Sequence, residues 1–203
     1  MSLDNYTRAG QIVDNYTRAG QIAAKVRENA RKKNHVGRTL YEICNSIESE
    51  INERGGQPAF PVNISLNEIA AHYTAEPDDQ IVIKDTDVVK IDLGVHIDGY
   101  VPDTAVTITY DSKYDQLIKI AELSLYEATK IAKCTTKSSE IGKTIENTIT
   151  HNGLKPIQNL SGHSLEQYII HAGKSIPNIK TFGPSFSLMP NQAYAIEPFV
   201  TTK

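Results

Sequence analysis

The sequence lacks the basic excess, the long apolar run and the targeting signal by which several classes of protein are recognised. Its 203 residues carry 21 basic and 24 acidic side chains, a formal net charge of −3. Binders of nucleic acid or anionic membranes usually show a basic excess or patch, so the charge disfavours both classes. No stretch of about 18 apolar residues is present, and the N-terminus has no basic segment followed by an apolar one. We therefore expect neither export nor membrane anchoring.

Cysteine is also scarce. The two cysteines, Cys44 and Cys134, are far apart and neither has the spacing of a metal site, so we expect reduced thiols and a cytoplasmic protein. The hydrophobic fraction of 39% with 22% charged residues is ordinary for a globular protein. A folded core is therefore expected.

A ten-residue duplication opens the chain: residues 3–12 recur as residues 13–22 with one conservative change. One short duplication does not make a repeat architecture, and we interpret it as an artefact or a recent duplication. Apolar side chains recur through it at helical spacing and continue to about residue 34, which predicts one long helix. The positions are Ala9, Ile12, Val13, Tyr16, Ala19, Ile22, Ala23 and Val26.

The remaining pattern predicts the α+β class. Thr39 and Glu42 form a capping-box pattern before a helix that ends near residues 55–56. Residues 82–110 carry the strongest strand signal, helices are expected over 115–133 and 138–152, and the proline-containing stretch 154–203 should be strand and loop. Helices and antiparallel strands occur without a regular βαβ alternation.

Two aspartates flank the most distinctive strand signal. Asp98-Gly99 between two β-rich runs is the preferred two-residue hairpin turn, and it places Asp92 opposite Ala105. Asp103 then lies on the same face as Asp92, as a diagonal neighbour about 7 Å away. Two carboxylates at this separation are typical of a site that shares a proton or cations, but they are also compatible with an exposed sheet face.

Histidines and a glutamate supply further candidates. His163 and His171 are eight residues apart, so they would face the same way in an extended chain. Imidazole is a common metal ligand and a common general acid or base. His72 lies among small residues after a loop, and Glu197 ends an apolar run. The other three histidines, at 35, 96 and 151, have no comparable surroundings and are taken as structural.

Four segments together closely resemble type 2 methionine aminopeptidases, particularly archaeal ones: NISLNEIAAHYTAEPDD, KIDLGVHIDGYVPDTAVTI, SGHSLEQYIIHAGKSIPNI and YAIEPF. The resemblance runs from about residue 7 or 17 to the last residue. It implies the pita-bread fold, an antiparallel sheet with flanking helices, and a cytoplasmic dinuclear metal hydrolase that removes the initiator methionine from nascent proteins. The implied domains are residues 1–22, a duplicated segment that is helical or artefactual, and residues 23–203, the catalytic domain.

The resemblance also implies roles for particular residues. The metal ligands would be Asp92, Asp103, His163 and Glu197, with Asp103 bridging two divalent ions. His72 and His171 would contact the substrate and stabilise the tetrahedral intermediate, while Phe60 and Ile170 would line the methionine pocket. Oxygen-rich ligation with one imidazole suits Co, Mn or Fe, with Zn or Ni as further options. The implied partners are N-terminal methionines of nascent chains, at the ribosome, and the complete enzyme would be a monomer.

The sequence departs from this family in one respect. Complete members carry a helical insertion after the glutamate motif and a last strand with a second glutamate, whereas this chain stops at Lys203. We therefore expect a C-terminally incomplete chain with four of five ligands, and the activity of this stretch by itself stays open. Two alternatives also stay open: an Xaa-Pro dipeptidase or aminopeptidase of the same fold, and a non-catalytic relative that binds ribosomes or nucleic acid.

Overall fold

A computed structural model describes residues 3–202, and the side chains of residues 7–202. Helices and antiparallel strands are both present without a βαβ alternation, which confirms the α+β class. The chain divides into two compact units, one up to Asp111 and one from Ser112. Within the described residues, no helix is both long enough and apolar enough to cross a lipid bilayer.

The first unit contains two helices and four strands. In chain order they are α1 (Leu3–Lys32), α2 (Leu40–Glu53), β1 (Gln57–Pro58), β2 (Asn63–Leu66), β3 (Val88–His96) and β4 (Asp103–Thr109). Strand β3 is central: it pairs antiparallel with β4 along one edge and with β1 and β2 along the other.

Helix α1 runs without a break through both copies of the duplicated decapeptide. Ala19, Ala23 and Val26 are buried in the core as the helical spacing predicts, but Ala9 is exposed and Val13 is 63% exposed. The side chain of Asn15 donates a hydrogen bond to Asp98 in the hairpin turn. The helix therefore lies beside the hairpin turn at residue 15, whereas Ala9 and Val13 before it are exposed, so the predicted stripe is wrong at these two positions.

Helix α2 begins at the predicted capping box. The hydroxyl of Thr39 accepts the backbone N–H of Glu42 at 3.2 Å, and the Glu42 carboxylate accepts the N–H of Thr39 at 3.0 Å. The two bonds satisfy donors that a helix start otherwise leaves without partners. The apolar face of the helix is fully or almost fully buried, at Ile43, Ile47 and Ile51 among others.

The two faces of β3 differ in what they carry. Ile91, Leu93 and Val95 are fully buried in one core with side chains from α1 and α2. Burying each such side chain contributes about 1.5–3 kcal/mol. Because successive strand residues alternate between faces, Asp92 and Gly94 emerge on the face opposite this core. A shift of β3 by one residue would move these apolar side chains out of the core, so their burial fixes the register that puts Asp92 on the opposite face.

The second unit contains two helices and short strands. In chain order they are a 3₁₀ turn (Ser112–Tyr114), α3 (Asp115–Ile131), α4 (Ser138–His151), β5 (Lys155–Pro156), β6 (Ser161–Leu165), β7 (Ser175–Pro177), β8 (Ala193–Ala195) and β9 (Val200–Thr201). Strand β6 is paired antiparallel between β7 and β8, and β5 pairs with β9.

In the core of the second unit, helix α4 packs against strand β7. Ile141, Ile145 and Ile149 of α4 are fully buried together with Ile176 of β7. Gly142 permits this contact, because a Cβ at that position would lie 2.3 Å from the carbonyl oxygen of Ile179. The helix start is also fixed locally, since the Glu140 carboxylate accepts the N–H of Lys137 at 3.1 Å.

Candidate metal centre

The hairpin carries its two aspartates as the sequence predicts. Asp92 pairs with Ala105, and Asp103 pairs with Gly94. The turn residues Asp98 and Gly99 both have positive φ, 51° and 79°, which is typical of the tight turn that matches strand twist. The prediction that both aspartates share one face of this hairpin is confirmed.

An aromatic side chain lies beside these aspartates. A Cβ on Gly94 would lie 2.4 Å from Cε1 of Phe60, so the phenyl ring occupies the space that a larger residue at 94 would fill. Gly94 is the direct neighbour of Asp103 across the hairpin. Phe60, which is half-buried, therefore lies at the edge of the carboxylate-bearing face.

A polar contact that the sequence did not reveal reaches Asp92 from β2. Asn63 lies directly opposite Asp92 in the strand register, and its Nδ2 donates to Asp92 Oδ2 at 3.4 Å. The Asn63 amide oxygen accepts a hydrogen bond from the hydroxyl of Thr74. Only the antiparallel pairing of β2 with β3 identifies Asn63 as a neighbour of Asp92, and pairing between strands that are distant in sequence leaves no local sequence signal.

His72 occupies the loop that contains Thr74. Its side chain is exposed, and its backbone φ is +67°, in the left-handed region that non-glycine residues seldom adopt. The backbone of the next residue, Tyr73, is bonded to β2, because its carbonyl accepts the N–H of Ile64 at 2.7 Å. A loop with an unusual backbone is thus fixed to the strand beside Asp92.

A lysine adds a positive charge to the same face of β3. Lys90 lies two residues before Asp92, and its Nζ donates to the carbonyl of Asn67 at 2.7 Å. Burial disfavours the charged form and lowers the pKa of Lys90 to about 8. This face of the hairpin therefore carries a partly desolvated cation as well as its two carboxylates.

In the second unit, neighbouring strands bring His163 and Glu197 together. His163 lies in β6 opposite Ala195 of β8, and Glu197 follows β8 by two residues. The Nε2 atom of His163 is 2.9 Å from Oε1 of Glu197. Gly162 permits the close approach of these two strands, because a Cβ there would lie 2.2 Å from the carbonyl oxygen of Ala195.

His171 lies against His163, which the sequence had placed only on the same face of an extended chain. The centroids of the two rings are 4.3 Å apart in an edge-on arrangement. Strand β6 ends at Leu165, and the chain reverses in a turn where Glu166 bridges to Ile169. The assumption of an extended chain from 163 to 171 is therefore wrong; the reversal itself brings the rings together. His171 is exposed, and the adjoining Ile170 is half-buried.

The donor atoms in each unit suit a divalent cation. Among the described residues Oε1 of Glu197 is buried and accepts no hydrogen bond, although Nε2 of His163 is 2.9 Å away. A buried carboxylate oxygen without a donor is costly unless a cation satisfies it. In the first unit the candidates are carboxylate oxygens only, which favour hard divalent ions, while imidazole is also acceptable to Mn, Fe, Co and Zn. The residues therefore fit metal binding.

Comparisons with curated sequences point to one group of enzymes. The chain is 50% identical over 202 residues to a methionine aminopeptidase from Pyrococcus horikoshii, a match that covers 100% of this chain and 65% of the relative. It is 42% identical over 202 residues to a methionine aminopeptidase from Methanothermobacter thermautotrophicus, covering 98% of this chain and 64% of that protein. The chain thus spans just under two thirds of the length of these relatives.

Solved structures share the fold. A methionine aminopeptidase from Thermotoga maritima superposes with a TM-score of 0.85 at 25% identity, over 96% of this chain and 81% of that one. An X-Pro aminopeptidase from the same organism gives 0.77 at 19% identity, over 93% of this chain and 53% of the other. The expected pita-bread fold is confirmed. The model of metallopeptidase family M24 matches residues 14–203. The chain belongs to metallopeptidase family M24.

Proposed function

We propose that this chain carries the metal-binding and substrate-binding part of a methionine aminopeptidase, which removes the initiator methionine from nascent proteins. Two divalent ions would be held by four side chains, those of Asp92, Asp103, His163 and Glu197. The observation that carries the proposal is the hairpin register, which places two carboxylates on one face backed by a fully buried apolar face. The identity of 42–50% to archaeal methionine aminopeptidases supports the choice of substrate.

The side chains around the ligands have separate proposed roles. When bound, the metal ions supply a water activated at neutral pH and polarise the scissile carbonyl. His171, whose ring abuts His163 and is exposed, donates a hydrogen bond to the substrate carbonyl as negative charge develops there. His72 contacts the substrate from the loop fixed to β2. Phe60 and Ile170 provide apolar surface for the methionine side chain.

Two other functions are less well supported. The prolidases and X-Pro aminopeptidases among the structural neighbours are 19–23% identical to this chain, a level that supports the fold alone. A metal-free binding protein would be expected to lose ligand residues, yet all four candidates are present. The mildly acidic net charge of −3 also disfavours a nucleic-acid partner.

The metal, partner and location follow from the same proposal. Oxygen-rich ligation with one imidazole suits Co, Mn or Fe, with Zn or Ni as further options. The substrate is the N-terminal methionine of a nascent chain, which places the reaction in the cytoplasm near the ribosome. The complete enzyme is proposed to be a monomer.

Peptide hydrolysis tests the proposal. The full-length protein is incubated with Mn²⁺ or Co²⁺ and with Met-Ala-Ser or an Xaa-Pro dipeptide, and released amino acids are quantified. We expect methionine from the first peptide, no cleavage of the second, and loss of cleavage in Asp103→Ala. Cleavage of the Xaa-Pro peptide with Met-Ala-Ser left intact would favour the dipeptidase instead.

A further inference from the structure

The side chain of Asn63 connects two parts of the first unit that the proposed function uses separately. On one side its Nδ2 donates to Asp92 Oδ2 at 3.4 Å. On the other its Oδ1 accepts a hydrogen bond from Thr74, two residues after His72. An amide is suited to this position because it donates and accepts through different atoms at once, which a carboxylate cannot do.

Backbone pairing fixes where Asn63 lies. Asn63 and Asp92 are register partners of β2 and β3, so their side chains are cross-strand neighbours on one face. The residues that flank Asn63, Val62 and Ile64, are fully buried in the core. A shift of Asn63 along the strand would move those apolar side chains out of the core. Its contact with Asp92 therefore depends on the fold and not on a flexible surface side chain.

The loop of His72 is attached to β2 by three hydrogen bonds. The carbonyl of Tyr73 accepts the N–H of Ile64 at 2.7 Å, and the N–H of Tyr73 is donated to Oγ of Ser65 at 3.3 Å. The bond from Thr74 to Asn63 is the third. The first two hold the loop on the strand, and only the third involves a side chain that also reaches Asp92.

We propose that Asn63 is a positioning residue that orients the carboxylate of Asp92 for metal binding and ties that carboxylate to the His72 loop through Thr74. This inference rests on the proposed role of Asp92 as a ligand. Partners that hydrogen-bond a metal ligand restrict its orientation, and their removal typically lowers metal affinity about 10- to 100-fold. Because the Asn63–Asp92 bond is long at 3.4 Å, we expect an effect of about 10-fold.

The test measures Mn²⁺ affinity by isothermal titration calorimetry on the whole chain without peptide, so that no turnover is needed. Asn63→Ala should weaken binding about 10-fold. Thr74→Val, which keeps the shape of the side chain but removes the hydroxyl, should leave affinity within about threefold of the wild type. In both variants, hydrogen exchange at the amide of Tyr73 should be faster, because the hydrogen bond between Thr74 and Asn63 that helps to hold the loop on β2 is lost.

Asp92→Ala separates the proposed role of Asp92 as a metal ligand from the proposed role of Asn63 in positioning it. If Asp92→Ala loses metal while Asn63→Ala binds Mn²⁺ as the wild type does, the role of Asn63 is refuted and the proposed function survives. If Asp92→Ala binds Mn²⁺ normally, the ligand assignment fails and the inference fails with it. Equal weakening by Thr74→Val and Asn63→Ala would show a general packing effect and overturn the positioning role. Should Asn63→Ala not fold, Asn63→Ser replaces it, since its shorter hydroxyl cannot reach both partners.

Discussion

An added methyl group at Gly162 should separate β6, which carries His163, from β8, which Glu197 follows by two residues. In Gly162→Ala the new Cβ would lie 2.2 Å from the carbonyl oxygen of Ala195, and 3.0 Å from its carbonyl carbon. A carbon and a carbonyl oxygen in close contact are about 3.3 Å apart, so the strands must move apart by about 1 Å. Both atoms that it meets belong to the backbone, so no side-chain rotation can relieve the overlap.

The cost of this movement can be estimated. Overpacking of a well-packed site costs about 1–3 kcal/mol, and for a chain of this length each kcal/mol lowers the melting temperature by about 2–4 °C. We therefore expect Gly162→Ala to melt roughly 2–12 °C below the wild type. Since the strand pairing of His163 with Ala195 is disturbed, Mn²⁺ affinity should fall as well.

Differential scanning calorimetry without metal and titration calorimetry with Mn²⁺ measure the two effects. Gly183→Ala is the matched control, because a Cβ there would meet nothing within 4 Å and its φ is not in the left-handed region. This control should change the melting temperature by less than about 2 °C. A Gly162→Ala protein with the melting temperature and Mn²⁺ affinity of the wild type would refute the reasoning.

Three further predictions concern parts of the first unit and the exposed cysteine. Deleting residues 3–12 should change the melting temperature by less than about 2 °C, since residues 7–10 are exposed; a loss of several degrees would show that both copies pack. At pH 8 a thiol reagent should react rapidly with the exposed Cys134 and not with Cys44, because Cys44 is buried and burial raises its pKa to about 11. Cys134→Ser should abolish this rapid reaction. Burial lowers the pKa of His35, so below a pH of about 6.5 the unfolded chain binds a proton that the folded chain does not, and the free energy of unfolding should fall as pH drops. In urea titrations at several pH values, His35→Gln should make this dependence on pH weaker. An unchanged dependence would contradict the role given to His35.

Local patterns in the sequence predicted the hairpin and the helix starts because their causes are local. The Asp98-Gly99 turn fixes the register of β3 with β4, and the Thr39–Glu42 pair fixes the start of α2. The exposure of Val13 was missed because it depends on which part of α1 meets the hairpin, and that contact is made between residues distant in sequence.

The candidate site was predictable only in part. Asp92 and Asp103 come together within one hairpin, so pairing arithmetic was sufficient. Asn63 was missed because β2 reaches β3 only after an intervening loop of about twenty residues. His163 and His171 were expected to face the same way along an extended chain, whereas a reversal at residues 166–169 brings their rings together. Spacing in sequence cannot distinguish these two geometries.

The most direct test of the central claim is a Mn²⁺ titration of His163→Ala beside His171→Ala. The centroids of the two rings are 4.3 Å apart, so both substitutions remove an imidazole from the same part of the second unit, but the proposed ligand is His163, whose Nε2 is 2.9 Å from Oε1 of Glu197. We expect His163→Ala to lose metal affinity, while His171→Ala keeps the stoichiometry and affinity of the wild type. Equal loss of Mn²⁺ in both variants, or loss in His171→Ala alone, would contradict the account.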